Sequence, residues 1–73
     1  MEYEEFIRKV GTKIKEIRVS KGITQEAMDE GEYAISYRTV QDIENGQSHP
    51  SVRSIFKISK RLKVRPKDLL DVQ

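Results

Sequence analysis

Residues 35–46, ISYRTVQDIENG, carry side chains that can form hydrogen bonds with a partner. If the segment is helical, successive residues are about 100° apart, and Val40 and Ile43 form one narrow apolar stripe. The opposite face then carries Arg38, Gln41, Asp42 and Asn45. In the major groove of DNA, Arg, Gln and Asp side chains can bond the edges of guanine, adenine and cytosine, respectively. Glu44 falls on the apolar side, where an unpaired charge would be costly.

Residues typical of catalytic and metal sites are scarce. The chain has no cysteine, and His49 is its only histidine. We find no glycine-rich phosphate loop, no pairing of a nucleophile with a base and no cluster of metal ligands. We therefore expect no enzyme activity, no cofactor and no metal.

The length of 73 residues indicates one domain, residues 1–73, with a small core. No apolar run approaches the ~20 residues that span a bilayer. The first residues, MEYEEF, are acidic and lack the apolar segment of a signal peptide. We therefore expect a cytoplasmic protein that has no membrane contact.

Charge is distributed unevenly along the chain, although the net charge is only +2. Residues 23–46 contain six acidic residues and one basic residue, whereas residues 47–73 contain seven basic and two acidic residues. Such asymmetry permits a basic surface for an anionic partner, but it is equally typical of a solvated charged face.

Apolar spacing and capping residues predict five helices and no strand. Apolar residues recur at three- and four-residue steps over residues 3–20. Thr24, Ser36 and Ser51 are good N-caps for helices over residues 24–30, 36–45 and 51–62. Pro66 suits the first position of a short last helix that continues to Leu70. The predicted class is all-α, with five helices joined by short turns.

Four segments together resemble the lambda-repressor-like family, also called the Xre or Cro/repressor type. They are GITQEAM, ISYRTVQDIENG, HPSVRSIFKISKRLKV and PKDLL, and the resemblance covers residues 10–70. It implies a compact five-helix domain that binds operator DNA, with a helix-turn-helix motif at about residues 24–45. Residues 1–9 would extend the first helix at its N-terminus.

The resemblance also implies roles for individual residues. Bases would be contacted by Tyr37, Arg38, Thr39, Gln41 and Asp42, and phosphates by Gln25, Asn45, Gln47 and Ser48. Arg38 and Asp42 are four residues apart, so they could instead pair with each other on the surface. His49 could bond a phosphate, but we favour a role in shaping the loop before Pro50.

Arg18 is the partner that the resemblance implies for Glu44. Related repressors place a partly buried ion pair at these positions, between the first and third helices. Arg18 lies one turn after Ile14, at the edge of the apolar stripe of its helix. Removing one partner of such a pair costs about 3–5 kcal/mol. The alternative is two unrelated surface charges.

The turn between the two motif helices departs from the family pattern. It is one residue longer, and we align the extra residue to Gly31. Ala34 stands at the usual turn glycine, and Asp29 replaces a small residue of the second helix. Either this helix ends early or Asp29 becomes exposed by rotation.

Dimerisation is expected because one such domain reads only a few base pairs, and two-fold dimers reach half-sites about 34 Å apart. Candidate interface residues are Phe56, Leu70 and Val72, with Tyr3 and Phe6 as another patch, unless these side chains belong to the core.

We predict a homodimeric, sequence-specific regulator of transcription, most simply a repressor, on a palindromic double-stranded operator. The alternative is a protein-interaction module of the same fold, such as an antitoxin or co-regulator, which the acidic motif region favours.

Overall fold

The computed structural model describes all residues 1–73 and contains only helical elements. Four α-helices follow one another: α1 (Tyr3–Ser20), α2 (Tyr37–Glu44), α3 (Val52–Leu62) and α4 (Pro66–Leu70). A 3-10 helix, Glu26–Asp29, lies between α1 and α2. The all-α prediction is therefore confirmed, whereas the expectation of five α-helices is wrong.

One hydrophobic core joins the helices. Its ten buried residues come from every element and from the residue before the cap of α2; they are Val10, Ile14, Met28, Ile35, Val40, Ile43, Ile55, Ile58, Leu62 and Leu69. The helix α1 packs along α2 and also touches α4, and α3 packs on α4. Because α2 lies directly on α1, the orientation of its outward face depends on that contact.

Serine side chains start both central α-helices. The Ser36 hydroxyl accepts a hydrogen bond from the Thr39 backbone N–H at 3.2 Å, and Ser51 accepts one from the Ser54 N–H at 3.0 Å. These bonds satisfy N–H groups that have no partner within the helix. The two predicted N-caps are confirmed, and the first residue of α2 is Tyr37.

The second predicted helix is the element that differs. The Thr24 side chain accepts from the Ala27 N–H, and the Met28 N–H bonds the Gln25 carbonyl, which are three-residue spacings. A short segment forms few α-helical hydrogen bonds, and these do not offset the conformational entropy that is lost when an α-helix is nucleated. The backbone reverses at Gly31, where φ is +83°. The segment therefore closes as a single 3-10 turn and leaves Asp29 exposed at its end.

Contacts with distant residues hold this short element in place. The Met28 side chain is fully buried, and its carbonyl accepts a hydrogen bond from the Ile35 N–H at 2.9 Å. Arg61 of α3 also donates to the Ala27 carbonyl. The 3-10 helix is thus anchored to the core and to α3, although it has little helical structure of its own. None of the four α-helices combines the length with the apolar character that a membrane-spanning segment requires.

Candidate DNA-binding site

The outward face of α2 carries polar side chains, as the helical spacing predicts. Tyr37 and Arg38 are exposed in its first turn, and Gln41 and Asp42 are partly exposed one turn later. Asn45 follows at the exposed C-cap. Val40 and Ile43 are buried beneath them. The helix therefore presents donors and acceptors on one side and is held by its apolar side.

Two contacts between residues four apart order this outward face. Arg38 Nε lies 3.4 Å from Asp42 Oδ2, and the Arg38 side chain is 82% exposed. Gln41 Nε2 lies 3.5 Å from the Tyr37 hydroxyl, which is the outer limit of a hydrogen bond. The pairing of Arg38 with Asp42 therefore occurs in the free chain, while the guanidinium stays accessible to a partner.

Thr39 is held at the side of this face by the cap of α2. The Ser36 hydroxyl donates to Thr39 Oγ1 at 2.8 Å, in addition to accepting from the Thr39 N–H. The hydroxyl hydrogen of Thr39 remains free to donate to an acceptor. Thr39 is also partly buried, so it is less accessible than Arg38.

The inward face of α2 contains a buried ion pair with α1. Arg18 Nε donates to Glu44 Oε2 at 2.7 Å, and Arg18 Nη2 donates to Glu44 Oε1 at 3.0 Å. The third guanidinium nitrogen, Nη1, donates to the Ile23 carbonyl at 2.7 Å. The hydrogen bond to Glu44 is the main cause that raises the pKa of Arg18 above its usual value; burial opposes it. Each of the guanidinium nitrogens therefore has a protein partner.

Gln25 joins the same network from the start of the 3-10 helix. Its Nε2 donates to Glu44 Oε1 at 2.9 Å, so that Glu44 accepts from both Arg18 and Gln25. One amide N–H is thereby fixed inward. The second N–H and the amide oxygen of this partly buried side chain remain available to a partner. This connection between Gln25 and Glu44 was not predicted, because it depends on how the 3-10 helix sits against α2.

The loop after α2 contains the remaining predicted phosphate-contacting residues. Asn45 and Gln47 are exposed and Ser48 is partly exposed. Within this loop, the backbone N–H groups of Asn45, Gly46 and Gln47 bond carbonyls of α2. Side chains and the backbone N–H groups of Ser48 and His49 are left to donate to a partner in this loop.

His49 lies farther along this loop, beside the N-terminus of α1. Its ring meets the Tyr3 ring edge-on, with 4.9 Å between the ring centroids. This aromatic contact joins the loop before Pro50 to the first residue of α1.

Two glycines, whose structural roles the sequence reasoning did not identify, bring α1 and α2 close together. A Cβ on Gly11 would lie 2.2 Å from the Ile43 carbonyl oxygen, and a Cβ on Gly46 would lie 2.7 Å from Arg8 Cγ. Gly46 also has a φ of +71°. A glycine inside an otherwise regular helix can have a packing reason, so Gly11 was the available signal.

Comparisons with known proteins agree with this geometry. The profile of the helix-turn-helix family matches residues 14–69. The chain belongs to the helix-turn-helix family. It is an Xre-type, all-α DNA-binding regulator of transcription.

This helix-turn-helix protein is similar to a control protein and to a controller protein of known structure. It is 41% identical over 61 residues to the control protein C.BamHI of Bacillus amyloliquefaciens, a match that covers 84% of this chain and 75% of the relative. Its fold matches the crystal structure of the restriction-modification controller protein C.AhdI from Aeromonas hydrophila, with a TM-score of 0.79 and 28% identity. That match covers 92% of this chain and 98% of C.AhdI.

In this helix-turn-helix protein, the 3-10 helix and α2 are the two elements of the motif. The second element of such a motif is the one that enters the major groove, with its N-terminal residues toward the bases. The second element here is α2, and Tyr37 and Arg38 lie at its N-terminal end.

An apolar groove of about 380 Å³ lies on another surface of this helix-turn-helix protein, between α1, α3 and α4. Tyr3, Phe6, Val52, Phe56 and Leu70 contribute to its lining. Val52 is 88% exposed, Phe56 46% and Leu70 42%. Val72, the third predicted interface residue, is instead partly buried against the core and lines a different depression with Lys9 and Lys13. The structure thus brings two of the three predicted interface residues together.

Proposed function

We propose that this chain binds a palindromic double-stranded DNA operator as a homodimer and represses transcription, with α2 in the major groove. The observation that carries the proposal is the outward face of α2, where an 82%-exposed Arg38 stands beside Gln41 and Asp42 on a helix with a buried opposite face. In the proposed complex, Tyr37, Arg38, Thr39, Gln41 and Asp42 read bases. Direct readout requires such donors and acceptors on an element that fits the groove.

Phosphate contacts would hold this helix in register. We assign them to the outward N–H of Gln25 and to Asn45, Gln47 and Ser48, which lie at the two ends of the motif. Such contacts fix orientation on the duplex but carry no sequence information. The inward hydrogen bond from Gln25 to Glu44 orients its amide and links the first of these contacts to the ion pair with Arg18.

A role in controlling a restriction–modification system is the most specific version of the proposal. Its support is that one relative is named a control protein and the other a restriction-modification controller protein. Phage repressors and stand-alone regulators of this size are the other members of the class.

The proposed operator can be tested by selection from a random pool of duplexes. We expect the purified chain to enrich an inverted repeat whose half-sites are about one helical turn apart. Selection with Arg38→Ala should relax the preference at one base pair in each half-site and leave the spacing unchanged. Enrichment of no sequence at low salt would contradict the operator proposal. It would favour a protein partner for the acidic segment, residues 23–46.

The apolar groove supports the dimer, with a second copy of the chain as its occupant. A contiguous apolar patch on a protein surface often marks an interaction site. We expect Val52→Glu to weaken self-association in analytical ultracentrifugation because it places a charge at the groove. Val19→Glu is the matched control, since Val19 is 57% exposed and does not line the groove. Equal association of both variants would contradict this dimer surface.

A further inference from the structure

The loop that follows α2 has no cation of its own to bind a phosphate. Between Arg38 and Arg53 the chain contains no lysine or arginine, and it contains two acidic residues, Asp42 and Glu44. Three backbone N–H groups of the loop already bond carbonyls of α2. The C-terminal end of a helix also carries a partial negative charge, which disfavours an anion. A phosphate held at this end of α2 therefore needs a positive charge from another part of the chain.

The structure brings such a charge to the loop from α1. Arg8 packs on Gly46. A Cβ added to that glycine would lie 2.7 Å from Arg8 Cγ and 3.4 Å from Arg8 Cα. One turn later in α1, a Cβ on Gly11 would meet the Ile43 carbonyl oxygen at 2.2 Å. Backbone contact at both glycines holds the base of the Arg8 side chain beside the loop.

The guanidinium of Arg8 is not taken by an acid of the chain. Arg8 is exposed and takes part in none of the four ion pairs. Its neighbour Glu5 pairs with Lys9 instead, at 3.4 Å. Arg8 differs in this respect from Arg18 and Arg38, whose guanidinium groups each face a carboxylate.

We propose that Arg8 is a phosphate-contacting residue, which α1 supplies to the DNA backbone next to the C-terminal end of α2. The inference rests on the proposed function and adds a residue that is distant in sequence from the motif. A guanidinium can bind two phosphate oxygens at once, which suits a contact that fixes position. Asn45 and Gln47 then form neutral hydrogen bonds with the phosphate whose charge Arg8 neutralises.

The test measures the salt dependence of binding to the operator recovered by selection. Each neutralised phosphate contributes about 0.9 to the slope of log K against log salt concentration. We expect Arg8→Gln to reduce the slope by about 0.9 and to weaken binding to operator and scrambled duplexes by the same factor. Arg8→Lys should retain the slope, since it keeps the charge.

Lys67→Gln is the matched control, because it removes the same charge from an exposed, unpaired position on α4. Its slope should stay that of the unmodified chain. An equal slope for Arg8→Gln and Lys67→Gln would overturn the role of Arg8 and leave the operator proposal intact. Failure of the unmodified chain to bind any duplex would overturn both proposals, and the two failures are thus distinguishable.

Discussion

The two sides of α2 each carry an ion pair, and the pairs differ in burial. Glu44, on the inner side, has a side chain that is 1% exposed and pairs with Arg18 at 2.7 Å. Asp42, on the outer side, pairs at 3.4 Å with an Arg38 side chain that is 82% exposed. The inner pair joins α2 to another helix, whereas the outer pair joins two residues of α2.

The difference shows how similar chemistry serves two purposes. A buried carboxylate must keep its partner, because an uncompensated charge in the core is strongly destabilising. An exposed pair four residues apart contributes little, so it can open at small cost when a partner offers hydrogen bonds. The inner pair therefore fixes where α2 lies, and the outer pair leaves Arg38 available for recognition.

Removal of the inner acid should have the largest effect. We expect Glu44→Ala to lower the free energy of unfolding by about 3–5 kcal/mol, because it leaves the Arg18 guanidinium buried without its partner. Urea denaturation followed by circular dichroism measures this change. The control is Glu32→Ala, at an exposed acid, which should change stability by less than about 0.5 kcal/mol. Similar losses in both variants would contradict an architectural role for Glu44.

Replacing both inner charges tests whether the pair itself is required. We expect Arg18→Met with Glu44→Leu to recover part of the stability that either single change loses, because apolar residues of similar volume can replace a buried pair. A deficit of about 1–3 kcal/mol should remain, since the Ile23 carbonyl loses its donor. A double-mutant cycle with the two single variants provides the measurement. Simple addition of the two single losses would argue against this account.

Exchange of the outer cation separates recognition from charge. Arg38→Lys keeps the charge but cannot bond guanine O6 and N7 in the planar, two-point manner of a guanidinium. We expect discrimination at one base pair to fall by about 1–3 kcal/mol, with an unchanged salt slope and an unchanged free energy of unfolding. Competition binding with single-base operator variants measures this. A loss that is uniform across sequences would instead assign Arg38 to a phosphate.

Neutralising the outer acid should have only a small effect on stability. Asp42→Asn breaks the pair with Arg38, and we expect the unfolding free energy to change by no more than about 0.3–0.5 kcal/mol. Binding to unselected duplexes should strengthen slightly, because one negative charge leaves the face proposed to approach DNA. Fluorescence anisotropy with a scrambled duplex measures this change. Weaker binding would indicate that Asp42 orients Arg38 more than it repels phosphate.

Local patterns were sufficient to predict most of the helices. The predicted range of α1, residues 3–20, agrees with the structure, and Ser36 and Ser51 cap α2 and α3. Apolar periodicity and capping act within one or two turns, so neighbouring residues contain the information. The first motif element, the 3-10 helix, was mispredicted as an α-helix because its form depends on Gly31 and on distant contacts from Ile35 and Arg61.

The sequence by itself determined the helical class, the polar and apolar faces of α2, and the placement of an acid on the inner face. Only the tertiary structure decided that Gln25 would bond Glu44, that Arg8 would lie on Gly46, and that Phe56 and Leu70 would share a groove without Val72. The physical reason is one of range. Helix faces follow from a fixed angle per residue, whereas contacts between helices depend on how closely and at what angle the core lets them pack.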